Sequence, residues 1–493
     1  MDLAGLGILP LILISCIFIF SLWNMISTKQ KLPPGPIPLP LIGNLLQIMR
    51  GEMVASLMKM WEQYGSIFTL YFGPKPVIVL CGYQTVKEAL VDHAEEFGAR
   101  GNLPVMDMCI QGYGLGFANG EIWKQMRTFT LKTLKNFGMG KKSIEEKIQE
   151  ETQFMLDEMR KLKEKPIDPT MILMKAVSNI LCSILFGNRF EYNEKPFNKL
   201  LNILEETLHH LSNTLGQLYN ILPKLMNCIP GPHKKIFSLT DELLAVIEEN
   251  VKVHQDTLDQ NAPRDFIDCF LIKMQQEKQN PNTEFNMKNL LATAHSLFIG
   301  GTETISTTLR HGLLILLTYP EIQAKLHDEI DRVIGQNRLP NMDDKINMPY
   351  MAAVIHEIQR FADITPMSVP HSVTKDTHFK GYYLCKGTTI YTLLCTVLRD
   401  PSQFSTPYKF NPNHFLDENG MFKKNEASMV FSAGKRSCLG ESLARMELFL
   451  FLTSILQNFT LTSKIQYTES DVTPKMTGIF KFPINYQLSF VPR

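Results

Sequence analysis

Hydrophobic residues recur through the middle of the chain at the spacing that places them on one face of a helix. This pattern runs from residue 123 to about residue 361 and predicts mostly helix there. The longest predicted helix spans Asn286–Thr318, with Asn286 as its N-cap and a proline just beyond its end. Two later helices are predicted at Met351–Phe361 and Leu439–Leu456. Helices should therefore dominate the fold.

Shorter stretches have the alternation of β-strands. Ile67–Phe72 and Val77–Cys81 are predicted strands, separated by the turn residues Gly73-Pro74. Residues 364–400 alternate and carry glycine and proline, which predicts a small sheet, whereas residues 401–437 have no clear period and are expected to form a long ordered loop. The predicted fold class is mainly α with minor β.

The N-terminus has a different pattern. Leu3–Thr28 contains no charged residue, and a helix that crosses a bilayer needs about 20 such apolar residues. Trp23 would lie at the membrane interface, and Lys29 and Lys31 favour a cytoplasmic location for the chain that follows. Residues 1–28 are therefore predicted to be a membrane anchor. The alternative, a cleaved signal peptide, is disfavoured by the length of the run and by the lack of a small-residue cleavage site.

A basic and proline-rich elbow is predicted at residues 29–40, because prolines such as those of Leu32-Pro33-Pro34-Gly35-Pro36 cannot continue a helix. Residues 41–493 are then expected to form the catalytic domain. The formal net charge of +1 argues against a broad polyanion-binding surface and hence against nucleic acid as a partner. Nine cysteines, an odd number without a Cys-x-x-Cys pair, argue against a disulfide framework or a structural zinc site.

The candidate chemistry starts with the ten residues Phe431–Gly440. Cys438 directly precedes a predicted helix, whose free N–H groups and dipole should lower the pKa of the thiol and favour the thiolate that an iron centre requires. Gly434 and Gly440 would let the backbone approach a flat cofactor, and Arg436 could neutralise a carboxylate on it. Taken alone, Cys438 would more often be a buried core thiol.

Together these residues have the pattern Phe-x-x-Gly-x-Arg-x-Cys-x-Gly. The pattern resembles the haem-binding loop of the cytochromes P450, and the resemblance extends over the whole chain. In detail the chain looks like the vertebrate microsomal family-two enzymes, which oxidise drugs, steroids and fatty acids. This resemblance implies the cytochrome P450 fold, haem b as cofactor and Cys438 as the metal ligand. It also implies the endoplasmic reticulum membrane, with the catalytic domain on the cytoplasmic side.

A second match is Glu357-x-x-Arg360, three positions apart on a predicted helix. By itself it would be a surface salt bridge; the resemblance makes it a buried structural pair that fixes the loop near the haem. A third partner would come from Phe410–Phe415, where many relatives carry arginine at the position of His414.

The third match is Gly300-Gly301-Thr302-Glu303-Thr304, in the middle of the longest predicted helix. Each glycine weakens a helix by about 1 kcal/mol relative to alanine, so two in succession suggest a helix that must widen. The resemblance implies that Thr304, with Glu303, delivers protons at the oxygen site. Plain helix packing for Thr304 and a structural salt bridge for Glu303 remain the alternatives. Gly300 stands where alanine is commoner in the family.

Further site residues follow from the resemblance alone. The haem carboxylates would be held by Trp123, Arg127, Arg100, His371 and Arg436. The substrate pocket would be lined by Phe117, Gly300, Ile364, Thr365, Val369 and Ile479. Most of the pocket residues are apolar, and the apolar segment 221–232 is the expected entrance, so a lipophilic small molecule is the expected substrate.

Electrons must come from another protein, because Gly112–Gly116 lacks the spacing of a dinucleotide-binding loop. The resemblance implies NADPH–cytochrome P450 reductase and, in some relatives, cytochrome b5. The candidate docking residues are Lys124, Lys135, Lys141, Lys142, Lys435 and Arg445, although a charge run is often only solvated surface.

The expected activity is that of a haem-thiolate monooxygenase, which inserts one oxygen atom from O2 into xenobiotics, fatty acids such as arachidonate, or steroids. One alternative is a haem-thiolate isomerase or dehydratase acting on peroxides, although such relatives often lose the acid–threonine pair. Another is a non-catalytic haem- or lipid-binding membrane protein. Consumption of NADPH with reductase, stimulated by a lipophilic substrate, separates the three.

Overall fold

The computed structural model describes residues 32–48, 53–140, 142–477 and 480–493. The predicted anchor at residues 1–28, the start of the elbow, Lys141 and Ile479 lie outside these residues. Among the residues that are described, no helix is both long and apolar enough to span a membrane.

Helices form most of the described chain. In order they are α1 (Leu45–Ile48), α2 (Met53–Tyr64), α3 (Tyr83–Lys87), α4 (Pro104–Ile110), α5 (Gly120–Asn136), α6 (Lys142–Lys161), α7 (Thr170–Leu185), α8 (Lys195–Ser212), α9 (Thr214–Ile221), α10 (Pro223–Asn227), α11 (His233–Thr257), α12 (Phe266–Gln276), α13 (Met287–Thr318), α14 (Pro320–Val333), α15 (Pro349–Ala362), α16 (Leu394–Leu398), α17 (Glu441–Asn458) and α18 (Glu469–Val472). A π-helical turn, Glu88–Asp92, and short 3-10 turns at Met342–Asn347, Pro412–Phe415 and Gly434–Arg436 complete them.

The strands are few and short. They are β1 (Ile67–Phe72), β2 (Lys75–Leu80), β3 (Ala99–Arg100), β4 (His371–Ser372), β5 (Thr377–Phe379), β6 (Tyr382–Leu384), β7 (Thr389–Thr392), β8 (Phe459–Thr462), β9 (Lys475–Thr477), β10 (Phe480–Phe482) and β11 (Ser489–Pro492). One sheet has the order β1-β2-β7-β4-β3, and three two-stranded sheets pair β5 with β6, β8 with β11 and β9 with β10. The mainly helical fold class with minor sheet is confirmed.

The predicted elements occur close to their expected bounds. Helix α13 begins after Asn286, whose side chain accepts a hydrogen bond from the amide of Asn289, so the predicted N-cap is correct. Residues 364–400 contain β4 to β7, as the predicted small sheet requires, but Leu394–Leu398 near the end of the range is a buried helix. Its five residues are all buried, and period-two alternation cannot separate a short, fully buried helix from a strand.

The described part of the elbow is attached to the first sheet. Thr69 on β1 donates its hydroxyl to the carbonyl of Pro33 at 2.8 Å, and its amide bonds to the carbonyl of Pro34. The fully buried Asn44 accepts the amide of Tyr71 at 2.8 Å and donates to the carbonyl of Ile37. These bonds give partners to carbonyl groups of the elbow, where the prolines have no N–H to offer. They also fix the direction in which the chain enters the domain.

Helix α13 is the centre of the packing. It runs through the main hydrophobic core and packs most extensively against α7, with α11, α15 and α17 around it. Because α17 starts at Glu441 and α15 ends at Ala362, this arrangement brings the loop before α17 and the loop after α15 to the same side of α13. The candidate site lies there.

Candidate active site

Cys438 lies in the loop that precedes α17. Its amide donates to the carbonyl of Phe431 at 2.9 Å, which closes the ten-residue loop on itself. Burial raises the pKa of its thiol, while the amides of Gly440 and Glu441 and the charge of Arg127 act in the opposite direction. The side chain is nevertheless exposed, so the sulfur faces open space inside the protein. The predicted lowering by the amides at the start of α17 is therefore present, but burial outweighs it in the protein alone. A coordinated metal deprotonates a thiol outright.

The two glycines of the loop are explained by different surroundings. Gly434 has φ +71°, and a Cβ there would lie 1.7 Å from the carbonyl oxygen of Leu90. Packing against the turn Glu88–Asp92 therefore requires glycine at position 434. The expected role, close approach of the backbone to a cofactor, is not needed to explain this residue. A Cβ at Gly440 would lie 3.9 Å from the sulfur of Cys438, so this glycine does border the open space.

Three arginines converge on the backbone beside Cys438. Arg127 donates to the carbonyl of Ser437 at 2.9 Å, and Arg100 donates to the carbonyl of Arg436 at 3.4 Å. Arg436 donates to Gly98 and Ala118 carbonyls, and its guanidinium stacks on the ring of Trp123 at 3.9 Å. Within the described residues, none of the three arginines has a carboxylate partner.

A bound anion would stabilise the positive charges of this arginine cluster. Burial and the charges of its neighbours lower the pKa of Arg436 to about 8, and burial and Arg127 lower the pKa of Arg100 to about 10. Nη1 of Arg436 is buried without any hydrogen-bond partner in the described structure. Buried cations are normally paired, so this arrangement fits a bound molecule that carries carboxylates.

His371 lies at the edge of the same cluster on β4. Burial, followed by the charge of Arg100, lowers its pKa to about 3. The neutral ring donates from Nδ1 to the carbonyl of Phe97 at 2.8 Å and accepts from Arg100 at Nε2 at 3.0 Å. His371 therefore orients Arg100 instead of adding another positive charge.

The glycine pair on α13 separates into two functions. A Cβ at Gly301 would lie 2.7 Å from Cδ1 of Leu181 on α7, whereas a Cβ at Gly300 would meet nothing within 4 Å. Gly301 thus permits close helix packing, and Gly300 borders open space. The helix continues through both residues, and the Thr304 hydroxyl donates to the carbonyl of Gly300 at 2.8 Å. This bond forms without a break in the helix, so the structure does not show the widening that the glycine pair suggests.

Glu303 points to a different environment from Thr304. Its Oε1 accepts from the hydroxyl of Thr307 at 2.8 Å, and its Oε2 is buried without a partner in the described structure. Burial raises the pKa of this carboxyl, while Thr307 and then Arg310 oppose the shift. Among the described residues no hydrogen bond joins the Glu303 carboxyl to Thr304, so a proton could pass between them only through water.

A cavity of about 40 Å³ joins Thr304 to the loops around it. Its lining includes two predicted pocket residues, Ile364 and Thr365, together with Phe431 at the start of the cysteine loop. Phe117, Gly300 and Val369 are not among the residues that line it. Phe117 follows a loop that packs on α13 through Gly114, and the carbonyl of Val369 accepts from Arg100 at 3.3 Å. Ile479 lies outside the described residues.

Glu357 and Arg360 form a fully buried, bidentate ion pair on α15, with two bonds of 2.7 Å. Arg360 also donates to the carbonyls of Leu398, Pro407 and Lys409. His414 lies 3.2 Å from Glu357. The predicted three-membered group is therefore assembled, and it holds the long loop onto α15.

Sequence reasoning missed several members of the site. Asn119 precedes α5 and looks like a helix cap, but its Oδ1 accepts from the Arg100 amide at 2.7 Å and from the Arg436 guanidinium at 2.9 Å. Thr308 and Gln359 line the cavity beside Thr304. Thr308 lies one turn after Thr304, so helical spacing could have identified it.

Comparison with known proteins identifies this arrangement. A model of the Cytochrome P450 family matches residues 33–490. The chain belongs to the cytochrome P450 family. It is 52% identical to cytochrome P450 2A6 of Homo sapiens over 99% of both chains, and 50% identical to cytochrome P450 2G1 of Rattus norvegicus over 97% of both. It is also 48% identical to cytochrome P450 2C23 of Rattus norvegicus over 100% of both.

Membership of the family settles the cofactor and the type of reaction. The chain binds haem b through a cysteine thiolate and is a haem-thiolate monooxygenase of lipophilic compounds, which takes electrons from a redox partner. The residues present fit this cofactor: haem carries two carboxylates, and the three arginines beside Cys438 have no carboxylate partner among the described residues. The mainly helical P450 fold is likewise shown.

Proposed function

We propose that Cys438 is the haem ligand of this cytochrome P450 and that the open space between the cysteine loop and α13 is its active site. The observation that carries the proposal is the placement of an accessible Cys438 beside Arg100, Arg127 and Arg436, none of which has a described carboxylate partner. Arg436, Arg100 and Trp123 would hold the haem carboxylates directly. Arg127 lies one helical turn after Trp123 and would add a further positive charge near the carboxylates, and His371 would orient Arg100.

When bound, haem supplies reductive activation of O2, and a thiolate ligand favours cleavage of the O–O bond. The chain itself must then provide protons. The Thr304 hydroxyl donates to Gly300 and can accept another hydrogen bond, so it can hold a water in the cavity. Glu303, a buried carboxyl whose pKa is raised, is the candidate proton source behind Thr304.

The substrate is a lipophilic small molecule such as a xenobiotic, a fatty acid or a steroid. Apolar residues such as Ile305 and Ile364 line the cavity at Thr304, and one helical turn earlier a Cβ at Gly300 would meet nothing within 4 Å. A larger residue at Gly300 would fill part of this open space. Gly300 is therefore the position at which we expect the range of accepted substrates to be most sensitive to size.

The protein is proposed to lie on the endoplasmic reticulum membrane, with residues 1–28 as anchor and the catalytic domain on the cytoplasmic side. Gly73 brings two exposed apolar regions together, because a Cβ there would lie 3.4 Å from the carbonyls of both Leu41 and Ile221. The exposed apolar residues of these regions are Ile37, Leu39, Leu41, Leu46, Leu215, Leu225 and Ile229. Such a patch is suited to contact with lipid and to entry of lipophilic substrates.

The proposed redox partner is NADPH–cytochrome P450 reductase, with cytochrome b5 as a second electron donor. Of the predicted docking residues, Lys135 and Lys142 are exposed, and Lys124 is exposed with a 3.5 Å contact to Glu121. Lys435 is paired with Glu95. Arg445 bonds to Glu441 and His356, so its guanidinium is already engaged within the domain and is less available to contact a partner.

The assignment of Cys438 is tested by Cys438→Ala, with the exposed Cys385→Ala as the matched control. We expect the carbon-monoxide difference spectrum of the reduced protein to lose its thiolate-type band in the first variant and to keep it in the second. An unchanged band in Cys438→Ala would refute the assignment. NADPH oxidation with added reductase, stimulated by a lipophilic compound, then tests the monooxygenase against the peroxide isomerase and the non-catalytic protein.

A further inference from the structure

Asp363 marks the point where α15 ends and the loop at the cavity begins. It is 3% exposed and has the left-handed backbone conformation φ 45°, ψ 52°. Asp363 and the next two residues, Ile364 and Thr365, line the cavity together with Thr304. The direction in which this loop (residues 364–369) leaves Asp363 therefore determines the shape of one cavity wall.

Two cations bind the carboxylate of Asp363. Nη1 of Arg399 and Nζ of Lys481 each lie 2.5 Å from the same oxygen, Oδ2. Lys481 is only 4% exposed and the side chain of Arg399 is 13% exposed, so the group holds two positive charges and one negative charge largely away from water. Arg399 alone would neutralise Asp363, and burial of a second cation opposes folding. Charge balance therefore does not explain Lys481.

The position of Lys481 suggests a different reason for it. Its amide donates to the carbonyl of Ile364 at 3.0 Å, and its own carbonyl accepts from Nε2 of His311 at 3.3 Å. Burial lowers the pKa of His311 to about 3, so this ring is neutral. One residue of strand β10 thus connects the hairpin of β9 and β10, the start of the cavity loop and the central helix α13.

We propose that Lys481 is a positioning residue that fixes loop 364–369 against this hairpin and thereby sets which shapes of lipophilic ligand the proposed active site accepts. The proposal rests on the proposed function, in which the cavity walls form part of the active site. The side chain of Lys481 holds Asp363 and its amide holds Ile364, so two consecutive residues are fixed from one point. Neither bond touches Cys438 or the arginines beside it.

Replacement of Lys481 should separate this role from a general need for folding. Lys481→Met keeps most of the apolar stem but removes the ammonium group, and Asp363 remains neutralised by Arg399. Removing Asp363 instead would leave two buried cations unpaired, which would confuse positioning with stability. Lys475→Met is the matched control, because Lys475 is an exposed lysine on the other strand of the same hairpin.

The test uses the full haem-loaded chain and two ligands that bind haem iron, imidazole and the bulkier 4-phenylimidazole, followed by absorbance. In Lys481→Met we expect the Kd of 4-phenylimidazole to rise about tenfold, the equivalent of one lost hydrogen bond to a charged group. The Kd of imidazole should stay within about twofold, since it contacts little of the cavity wall. Amide hydrogen exchange should also become faster in residues 364–369, and Lys475→Met should change neither property.

Each outcome decides the proposal. Equal affinities and equal exchange in Lys481→Met and the parent protein would overturn it. If both Lys481→Met and Lys481→Gln fail to give a thiolate-type carbon-monoxide band, Lys481 is required for folding, and the positioning role is also overturned. If the parent protein itself lacks that band, the proposed function fails instead, so the two failures are distinguishable.

Discussion

The neighbouring glycines of α13 offer a sharp test of what the tertiary structure adds to the sequence. The sequence predicts that both loosen the helix for the oxygen site, yet only Gly301 is crowded. A Cβ at Gly301 would lie 2.7, 3.0 and 3.3 Å from Cδ1, Cδ2 and Cγ of Leu181. Leu181 is itself buried in the core. Gly301→Ala should therefore create overpacking that Gly300→Ala does not.

The magnitude follows from two contributions. Alanine improves helix propensity by about 1 kcal/mol at either position. Overpacking in a buried contact typically costs about 1–3 kcal/mol. Gly300→Ala should therefore stabilise the protein by about 1 kcal/mol, whereas Gly301→Ala should range from about neutral to about 2 kcal/mol destabilised. The difference between the variants isolates the steric cost.

The assay is urea-induced unfolding of the haem-loaded protein, compared by transition midpoints, with the carbon-monoxide band as a control for an intact site. A second check is the double variant Gly301→Ala with Leu181→Ala. Because it removes the clashing side chain, the two changes should be coupled by about 1–3 kcal/mol in the favourable direction. Equal effects of Gly300→Ala and Gly301→Ala, or strict additivity with Leu181→Ala, would refute the packing explanation.

Three further predictions test the proton supply, the buried carboxyl of Glu447 and the membrane orientation. Thr304→Ala should keep haem binding and reduction but lower the ratio of product to NADPH consumed, by about 10²-fold at most since water can replace the hydroxyl, with hydrogen peroxide released instead; an unchanged ratio would reduce Thr304 to a packing residue. Glu447 is fully buried without a described partner, and burial raises its carboxyl pKa well above the usual range, so the unfolded chain loses this proton first and stability should fall as pH rises from about 4.5. Glu447→Gln should therefore be increasingly more stable than the parent protein between about pH 5 and about pH 8 in urea unfolding, and a pH-independent difference would contradict this. Asn458, although in an Asn-Phe-Thr sequon, should carry no glycan, because the catalytic domain is proposed to face the cytoplasm and the side chain already bonds to Arg160 and Ser454; a glycosidase-sensitive mass shift at Asn458 would reverse the orientation.

Local sequence determined the features that depend on residues a few positions apart. The cap at Asn286, the length of α13 and the pairing of Glu357 with Arg360 follow from helical spacing, where each residue meets neighbours three or four positions away. The ten-residue loop around Cys438 is recognisable because its chemistry is contained in one continuous segment. Residues 1–28, with their predicted anchor, are outside the described residues, so that prediction stands on the sequence alone.

Tertiary structure decided the features that depend on segments far apart in the chain. Gly434 is a glycine because of Leu90, and Gly301 because of Leu181, contacts that no local pattern contains. The Cys438 thiol has a raised pKa because burial by the surrounding protein outweighs the helix N-terminus that the sequence makes visible. In each case the physical cause is packing or desolvation, which exists only once distant segments have come together.

The buried lysine shows the same division most clearly. From the sequence Lys481 is one of fifty basic residues and would be assigned to the surface. In the fold it lies against Asp363, 118 positions earlier in the chain, and beside His311, 170 positions earlier. Sequence by itself determined the family chemistry, since a short segment suffices to bind iron. The shape of the cavity was decided by the tertiary structure, because its walls come from loops that only folding places side by side.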